Sequence, residues 1–600
     1  MDRRNIITGS IYYLKLFQGY IGFKIYIVFA LTLFAAFSEG FGFVMILPLL
    51  ESLDGNIKEQ SGIVGDTLEF INYIFGLENS VLSLLLIITF AFIIKGIVLF
   101  FALSSIAIMS ANLHRNLQTK LLQNYSEMKY EYYSSRDTGH FVNVMNIQIA
   151  GVVKALNGIM NTISQVVAGI AYLIMAFIVA WKFGLMAALI GIFMLIVFTQ
   201  LNNYVRTISS QFSLEKSFQT QYIVQYLQSF KYLISTAQTN KLSEKFITTV
   251  KNIANFQIKM GMAAVFTRSL REPIAVVAIM LIIFFQLVVI GDSLGPILVA
   301  IMLFYRALNA IQFVQQSWQL TLDNSGSVEL VNQEFTYQDE NSSPNSSKKI
   351  FPLQESVVLR NVYFKYESAN NYAIKNLNFR IEANDSIALI GGSGAGKSTI
   401  ADIITRSLIP EKGDVYIDGV PLRESDMRTW RQQIGYVSQN TVMFDDSIEN
   451  NISMWDKTIS KDERIIKIKK CSEQANIHHF ISDLPEQYLT QVGDRGIRLS
   501  GGQIQRLFIA RELYRDPKLL ILDEATSSLD TESEEFIQES INKLKGKVTL
   551  LIIAHRLSTI RNVDYLYVLE KGEIIEEGTY DVLRNKNNSV LQKLISKQNL

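Results

Sequence analysis

The chain of 600 residues carries a net charge of +1 and a single cysteine, Cys471. A lone cysteine excludes an internal disulfide and a structural cysteine-based metal site, and balanced charge without a basic stripe argues against nucleic acid as a partner. The mean hydropathy is positive, and apolar residues concentrate before residue 320. This asymmetry predicts a membrane region followed by a region of ordinary globular composition.

The first part of the chain contains six apolar runs long enough to cross a bilayer. After a predicted interfacial helix at 8–23, they lie at about 24–49, 81–105, 158–181, 183–204, 271–291 and 295–318. Their length and number argue against buried core helices, and the first run lacks the cleavage site of a signal peptide. Residues 1–322 are therefore predicted to form a polytopic membrane domain.

The charges between these runs predict the orientation. The N-terminus and the long segments 110–157 and 205–270 are rich in Lys and Arg, whereas the loop 51–80 is acidic. The positive-inside rule places the basic segments, and everything after residue 318, on the cytoplasmic side. Without an organelle-targeting segment, a bacterial cytoplasmic membrane is the predicted location.

Three ionisable residues interrupt the predicted spans: Glu39 in the first, Lys95 in the second and Arg306 in the sixth. Charges at membrane depth are costly and mark functional candidates. Glu39 and Lys95 each lie near the middle of their spans, which predicts an ion pair with either a structural or a substrate-related role. Arg306 has no acidic residue within its own span, which favours a role in attracting an anionic head group.

A polar linker is predicted at 323–355, and a phosphate-binding loop lies beyond it. The loop follows an apolar strand at 386–390 and leads into a helix, so its backbone N–H groups and the helix N-terminus favour a polyphosphate. Its residues are Gly391, Gly392, Ser393, Gly394, Ala395, Gly396, Lys397 and Ser398, and Thr399 continues into the helix. Lys397 is expected to reach the outer phosphates and Ser398 to bind Mg²⁺.

Residues 356–600 resemble the nucleotide-binding domain of ATP-binding cassette (ABC) proteins, with the family's motifs in order. Tyr366 matches the ring that stacks on adenine, Gln439 the Q-loop, and Asp523-Glu524 the end of the Walker B strand. Leu499, Ser500, Gly501, Gly502 and Gln503 match the signature. Asp530 matches the D-loop and His555 the H-loop.

The resemblance implies an ATPase that uses Mg²⁺. Asp523 is expected to bind Mg²⁺ with Ser398 and Gln439, and Glu524 to act as general base or to orient the water. His555 is expected to hydrogen-bond the γ-phosphate. In this family the signature of one protomer closes over the phosphate-binding loop of the other. A homodimer is therefore expected, with a heterodimer as the alternative.

The first part resembles the membrane domain of ABC exporters. Residues 132–140 are similar to the first coupling segment and 226–233 to the second. The predicted fold class is thus a six-helix exporter-type membrane domain joined to an α/β nucleotide-binding domain. The first span, with Glu39, Lys95 and Arg306, resembles exporters that flip lipid-linked oligosaccharides in bacterial N-glycosylation.

Three functions remain open at this point. The first is an ATP-driven exporter or flippase of an amphipathic, lipid-linked glycan. The second is an exporter of peptides or hydrophobic drugs, which has the same architecture. The third is a non-transporting ABC protein that gates a partner, against which the six spans and the coupling segments weigh.

Overall fold

A computed structural model describes most of the chain as two compact units. The described residues are 6–53, 81–179, 199–270, 294–341, 352–366, 369–439, 441–493, 496–524, 531–554, 556–586 and 589–592, with a few single positions between 273 and 284. One unit comprises Met1–Met128 with Tyr132–Ser342, and the other Lys129–Glu131 with Ser343–Leu600. We call them the helical unit and the ATPase unit.

The described residues of the helical unit lie almost entirely in helices. These are α1 (Ile6–Ile21), α2 (Lys24–Val44), α3 (Ile46–Leu53), α4 (Val81–Ser126), α5 (Tyr130–Ser134), α6 (Thr138–Asn143), α7 (Ile149–Val179), α8 (Thr199–Gln228), α9 (Phe230–Ser235), α10 (Thr239–Ser269), α11 (Leu294–Asp323) and α12 (Ser325–Asn341). A π-helical turn, Val144–Gln148, joins α6 to α7, so that Thr138–Val179 is one continuous helix.

Three helices of the described chain are long and apolar enough to cross a membrane: Lys24–Leu49, Val81–Ser126 and Thr138–Val179. The helix α4 also exposes large apolar side chains such as Leu82, Phe90 and Phe100. A helix that is apolar on all sides is stable when lipid covers it. The predicted sixth span lies within α11, whereas the predicted spans at 183–204 and 271–291 and the acidic loop lie mostly outside the described residues.

Small residues bring α7 close to α11 and α12. A Cβ atom on Gly158 would lie 2.4 Å from the Thr321 hydroxyl and 2.9 Å from the backbone of α11. A Cβ on Gly151 would lie 2.3 Å from the Ser327 hydroxyl. In lipid there is no hydrophobic driving force between helices, so close van der Waals packing of this kind stabilises their association.

Both ends of the predicted membrane domain contain a further packed helix. At the start, α1 buries Tyr13 and Phe17, and the Tyr13 ring lies edge-on to Trp318 at 6.0 Å. At the end, residues predicted as a linker form α12 instead. Val328, Val331 and Phe335 of α12 are buried, and the burial of this apolar stripe accounts for a helix in a segment with a polar composition.

The ATPase unit contains two sheets. Their strands are β1 (Ser356–Phe364), β2 (Ile374–Glu382), β3 (Ser386–Gly391), β4 (Lys412–Ile417), β5 (Val420–Pro421), β6 (Ile434–Val437), β7 (Leu519–Asp523), β8 (Thr549–Ile553), β9 (Tyr565–Glu570) and β10 (Glu573–Gly578). The antiparallel sheet has the order β2-β1-β4-β5, and the larger sheet has the order β10-β9-β3-β8-β7-β6.

The larger sheet determines where the chemistry lies. Strands β6, β7, β8, β3 and β9 run parallel, and β3, β7 and β8 are buried along their whole length. The phosphate-binding loop follows β3, Asp523 ends β7, and Gln439 follows β6. Because carboxyl ends of parallel strands share one edge, this edge is where a ligand binds.

Helices cover both faces of that sheet. They are α13 (Lys397–Ile404), α14 (Met427–Arg431), α15 (Ile448–Ser453), α16 (Lys461–Gln474), α17 (His478–Ser482), α18 (Gly501–Tyr514), α19 (Thr531–Leu544), α20 (Leu557–Ile560) and α21 (Tyr580–Asn585). Cys471 of α16 is 3% exposed and belongs to the core between α18 and the sheet.

Candidate functional site

The loop between β3 and α13 has the shape of a phosphate cradle. Gly394 and Gly396 adopt left-handed φ angles of 75° and 101°, and a Cβ on Gly396 would lie 2.6 Å from Ile374 Cδ1. Glycine is therefore required at position 396 for both conformation and space. The loop delivers the chain directly to the N-terminus of α13, where backbone N–H groups and the helix dipole favour an anion.

Lys397 lies across this cradle. Its Nζ donates to the carbonyl oxygens of Gly391 and Gly392, each at 3.0 Å. Burial lowers the pKa of the Lys397 ammonium, whereas the carboxylates of Glu524 and Asp523 act in the opposite direction. The ammonium group is thus held over the loop by two carbonyl oxygens, in a position to meet phosphate oxygens.

Asp523 ends β7 and receives two hydroxyl groups. Ser398 Oγ donates to its Oδ1 at 3.3 Å, and the Tyr436 hydroxyl donates to its Oδ2 at 3.2 Å. Burial raises the pKa of the Asp523 carboxyl, while these two hydrogen bonds favour its ionised form. The sequence did not predict a role for Tyr436, which lies in β6 three residues before Gln439.

Glu524 follows Asp523 in a strained backbone conformation. Its φ is 49°, its backbone N–H donates to the Ile553 carbonyl at 3.1 Å, and its Oε2 accepts from Gln439 Nε2 at 2.8 Å. A non-glycine residue in the left-handed region costs about 1–3 kcal/mol, and such residues concentrate at functional sites. The turn directs the carboxylate of Glu524 away from β7 and toward Gln439.

These residues fit Mg²⁺. Ser398 and Asp523 present hydroxyl and carboxylate oxygens side by side, which are the hard ligands that Mg²⁺ prefers, and nucleotide phosphates complete such a site. No group of three or more His, Cys, Asp or Glu among the described residues is arranged to hold a metal ion unaided. The amide nitrogen of Gln439 is engaged with Glu524, so its expected contact with Mg²⁺ stays a prediction.

Two further motifs lie at the surface of the ATPase unit. The Tyr366 ring is 40% exposed, and its hydroxyl lies 3.1 Å from Thr399 Oγ1. Ser500 caps α18: its Oγ accepts from the Gln503 N–H at 3.3 Å, and Gln503 Oε1 accepts from the Ser500 N–H at 2.9 Å. Asp530 and His555 lie outside the described residues.

A second site, the Glu39 cluster, lies within the helical unit and consists of Glu39, Lys95, Tyr172 and Arg306. Lys95 Nζ lies 2.8 Å and Arg306 Nη2 3.1 Å from Glu39 Oε1, at ion-pair distance but without hydrogen-bond geometry. The Tyr172 hydroxyl donates to Glu39 Oε2. The structure thus brings together the predicted Glu39–Lys95 pair. Arg306 has no acidic residue within its own span, but it lies at ion-pair distance from Glu39 of another helix, a contact that the sequence did not predict.

The cluster is asymmetric in both charge and exposure. Two cations face one carboxylate, which leaves one positive charge without a counter-charge within these residues. The side chain of Glu39 is 2% exposed, that of Lys95 23% and that of Arg306 43%. Arg306 also lies over the Phe43 ring at 5.5 Å and Lys95 over the Phe92 ring at 5.7 Å. The Glu39 carboxylate is therefore buried between the two cations, whereas Lys95 and Arg306 are partly accessible.

Fold and site together define an ATP-hydrolysing cassette joined to a membrane-spanning helical unit. Residues 374–527 match the family model "ABC transporter". The whole chain also matches the structure of a bacterial Atm1-family ABC exporter with ATP bound, with a TM-score of 0.76 at 21% identity, covering 100% of this chain and 99% of that one.

Relatives extend the match over most of the sequence. The heterocyst differentiation ATP-binding protein HepA of Nostoc sp. is 30% identical over 79% of this chain and 77% of its own. The ATP-dependent lipid A-core flippase of Haemophilus influenzae is 30% identical over 83% of this chain and 85% of its own. The chain belongs to the ABC transporter family. It is an ATP-driven exporter of the half-transporter type, and the predicted fold class and ATPase activity are confirmed.

Proposed function

We propose that this exporter is a homodimeric flippase that moves an anionic, lipid-linked glycan from the cytoplasmic leaflet of a bacterial inner membrane to the outer leaflet. The observation that best supports this proposal is the excess of positive charge at membrane depth in the Glu39 cluster. An isolated cation there is costly, and a phosphate-bearing head group offsets that cost. A hydrophobic drug offers no such compensation.

The exposure pattern assigns separate roles within the cluster. Glu39 and the Tyr172 hydroxyl hold the site together from the buried side. Arg306, the most exposed member, presents a planar guanidinium that matches phosphate in a bidentate manner. Lys95 adds a second, point-like charge. The aromatic rings of Phe43 and Phe92 beside the cations suit the apolar part of the same molecule.

In the ATPase unit the roles follow from position. Lys397 binds the outer phosphates, Tyr366 stacks on adenine, and Glu524 accepts a proton from the attacking water or orients it, with Gln439 holding the carboxylate at 2.8 Å. Ser398 and Asp523 would hold Mg²⁺, which neutralises phosphate charge when bound.

Of the remaining roles, those of the D-loop and the signature require a second protomer. His555 donates to the γ-phosphate, and the D-loop residue Asp530 and the signature beginning at Ser500 act on the nucleotide of the partner. The exposed cap at Ser500 supports the signature's role, because a surface helix N-terminus is available to an anion on another chain. The predicted orientation then places the N-terminus and both ATPase units in the cytoplasm.

The test compares ATPase stimulation of the reconstituted full chain by a polyprenyl-pyrophosphate glycan and by hydrophobic peptides. We expect the glycan to stimulate wild-type protein and to lose this effect on Arg306→Ala, while basal ATPase stays within about twofold of the wild type. Tyr305→Ala, at the neighbouring exposed position of α11, is the matched control. Stimulation by peptides alone, or normal glycan transport by Arg306→Ala, would refute the proposal.

A further inference from the structure

The helical unit contains a second buried carboxylate, that of Glu334 in α12, which is not part of the Glu39 cluster. Its Oε1 accepts from the hydroxyls of Tyr132 at 2.6 Å and Tyr125 at 3.1 Å, and its Oε2 lies 3.0 Å from His140 Nε2. The residue is 5% exposed. We call these four residues the Glu334 cluster.

The three partners come from three different helices. Tyr125 lies in the last turn of α4, Tyr132 belongs to α5, and His140 belongs to α6, which continues into α7. Rings pack around the carboxylate and fix the hydroxyls: Tyr132 against Tyr337 at 4.7 Å, and Tyr125 against Phe141 at 5.0 Å. One carboxylate therefore joins α4, the α5–α6 turn and α12.

The surroundings favour an ionised carboxylate. Burial would raise the pKa of the Glu334 carboxyl, but the hydrogen bonds from His140 and Tyr132, the charge of His140 and the hydrogen bond from Tyr125 bring it below its usual value.

A pocket of about 700 Å³ borders the Glu334 cluster. Besides the cluster residues Tyr132, His140 and Glu334, the titratable and charged groups that line it are Arg136, Asp137 and Tyr337. The helix α8 adds the polar side chains of Ser217 and Gln221.

The helices joined at Glu334 are the helices joined at Glu39. The helix α4 carries Tyr125 and Lys95, the helix 138–179 carries His140 and Tyr172, and α11–α12 carries Glu334 and Arg306. The separations are 125 − 95 = 30, 172 − 140 = 32 and 334 − 306 = 28 residues. At 1.5 Å per residue the two residues of each pair lie about 45 Å apart along their helix. The Glu39 cluster and the Glu334 cluster therefore connect the same three helices at two levels.

We propose that Glu334 is a positioning residue that locks these three helices into one rigid body between its own position and the Glu39 cluster. The chain enters the ATPase unit after α12, so this helix is the covalent link between ATP hydrolysis and the membrane helices. With Glu334 in place, a displacement of α12 moves Lys95, Tyr172 and Arg306 together. Without it, α12 slides past α4, and ATP is hydrolysed with less transport per ATP.

The decisive experiment measures rigidity without any substrate. Spin labels on Leu103→Cys of α4 and Met302→Cys of α11, both exposed, are placed in full-length reconstituted protein diluted with unlabelled chains. We expect one narrow distance in the nucleotide-free and ATP-trapped states of the otherwise wild-type chain. Glu334→Ala and the milder Tyr132→Phe should broaden or shift that distance on ATP trapping. Unchanged narrow distances in both variants would overturn the proposal.

A matched control separates the role of Glu334 from a general effect of charge on α12. Glu334→Gln keeps the size of the side chain and removes its charge, so it should broaden the distance as Glu334→Ala does. Glu329→Gln, at an exposed carboxylate of the same helix, should keep the narrow distance in both nucleotide states. A distance as narrow in Glu334→Gln as in Glu329→Gln would contradict the role.

Transport per ATP gives the functional readout, with the polyprenyl-pyrophosphate glycan as probe. We expect Glu334→Ala to keep basal ATPase within about twofold and to lower transport per ATP by about 5- to 150-fold, the usual range of coupling between sites. Of these experiments, only the measurement of transport per ATP rests on the proposed function. If wild-type protein does not move the glycan, the flippase proposal fails, while the spin-label result still decides the role of Glu334.

Discussion

At the scale of single residues, the two carboxylates that end β7 have different environments. Asp523 is held by hydroxyls from Ser398 and Tyr436 and faces the phosphate-binding loop. Glu524 has a left-handed backbone, and its Oε2 accepts a hydrogen bond from the side-chain amide of Gln439. In the proposed mechanism, these adjacent residues would serve metal binding and proton transfer separately.

Replacing Glu524 with Gln tests its role. The amide keeps the shape of the side chain but does not accept a proton, so we expect ATP binding to persist while kcat falls by about 10²–10⁴-fold. Nucleotide-binding assays and phosphate release measure the two effects. Glu535→Gln, an exposed carboxylate of α19, should retain full activity. Wild-type turnover by Glu524→Gln would remove that residue from the chemistry.

The Tyr436 hydroxyl has a consequence for pH dependence. Its hydrogen bond favours ionised Asp523, so Tyr436→Phe should raise the pKa of that carboxyl. Because the ionised form is the proposed Mg²⁺ ligand, the acid limb of the ATPase pH profile should move to higher pH, and more Mg²⁺ should be needed for half-maximal rate. Tyr565→Phe in β9 is the control. An acid limb at the wild-type position in Tyr436→Phe would show that the contact is incidental.

The sequence predicted Asp523 and Glu524 because an apolar strand ends in two acids, and the phosphate-binding loop because its glycines are contiguous. It did not predict Tyr436, since the tyrosine reaches Asp523 only through the pairing of β6 with β7. It likewise missed the Arg306–Glu39 contact. Both contacts join distant chain segments, and no local pattern encodes which helices become neighbours.

At the scale of elements, helix contacts in the helical unit depend on small residues at defined positions. The seam between α7 and α11 passes through Gly158, beside Thr321, while α4 presents Gly96 with open space around it. The length of the apolar runs was sufficient to predict α4 and α2, the second and first predicted spans. The helical nature of α12 was not evident, because its three buried apolar residues are spread among polar ones.

The two glycines make a matched pair for a stability experiment. Gly158→Ala places a methyl group 2.4 Å from Thr321 Oγ1 and 2.9 Å from backbone atoms, and we expect it to destabilise the helical unit by about 1–3 kcal/mol. Gly96→Ala meets no atom within 4 Å and should be neutral or slightly stabilising. Thermal unfolding in detergent compares them; equal midpoints would mean that α7 and α11 adjust freely.

At the scale of the whole molecule, one chain supplies one phosphate-binding loop and one signature, and the proposed sites combine the loop of one protomer with the signature of the other. The capped N-terminus of α18 is exposed in the single chain. Two identical chains would then form two equivalent sites related by a twofold axis, which is the commonest symmetry of oligomers.

Complementation tests this arrangement. Lys397→Ala and Ser500→Arg chains should each be inactive alone, since every composite site then contains one defect. A mixed dimer regains one intact site, so an equal mixture should recover about a quarter of wild-type ATPase if chains pair randomly as a twofold dimer. A double variant, Lys397→Ala with Ser500→Arg, mixed with wild type is the control. Absence of recovery in the first mixture would place both motifs in one chain's own site.

The position of Cys471 makes this protein convenient for site-directed labelling. Its thiol is the only one in the chain, it is buried in the core of the ATPase unit, and burial raises its pKa to about 11. Since the thiolate is the reactive form, maleimides and methanethiosulfonates at neutral pH should leave Cys471 unmodified. Any cysteine introduced at the surface is then the single reactive thiol of an otherwise natural chain, and the native residue can stay in place during spectroscopic measurements.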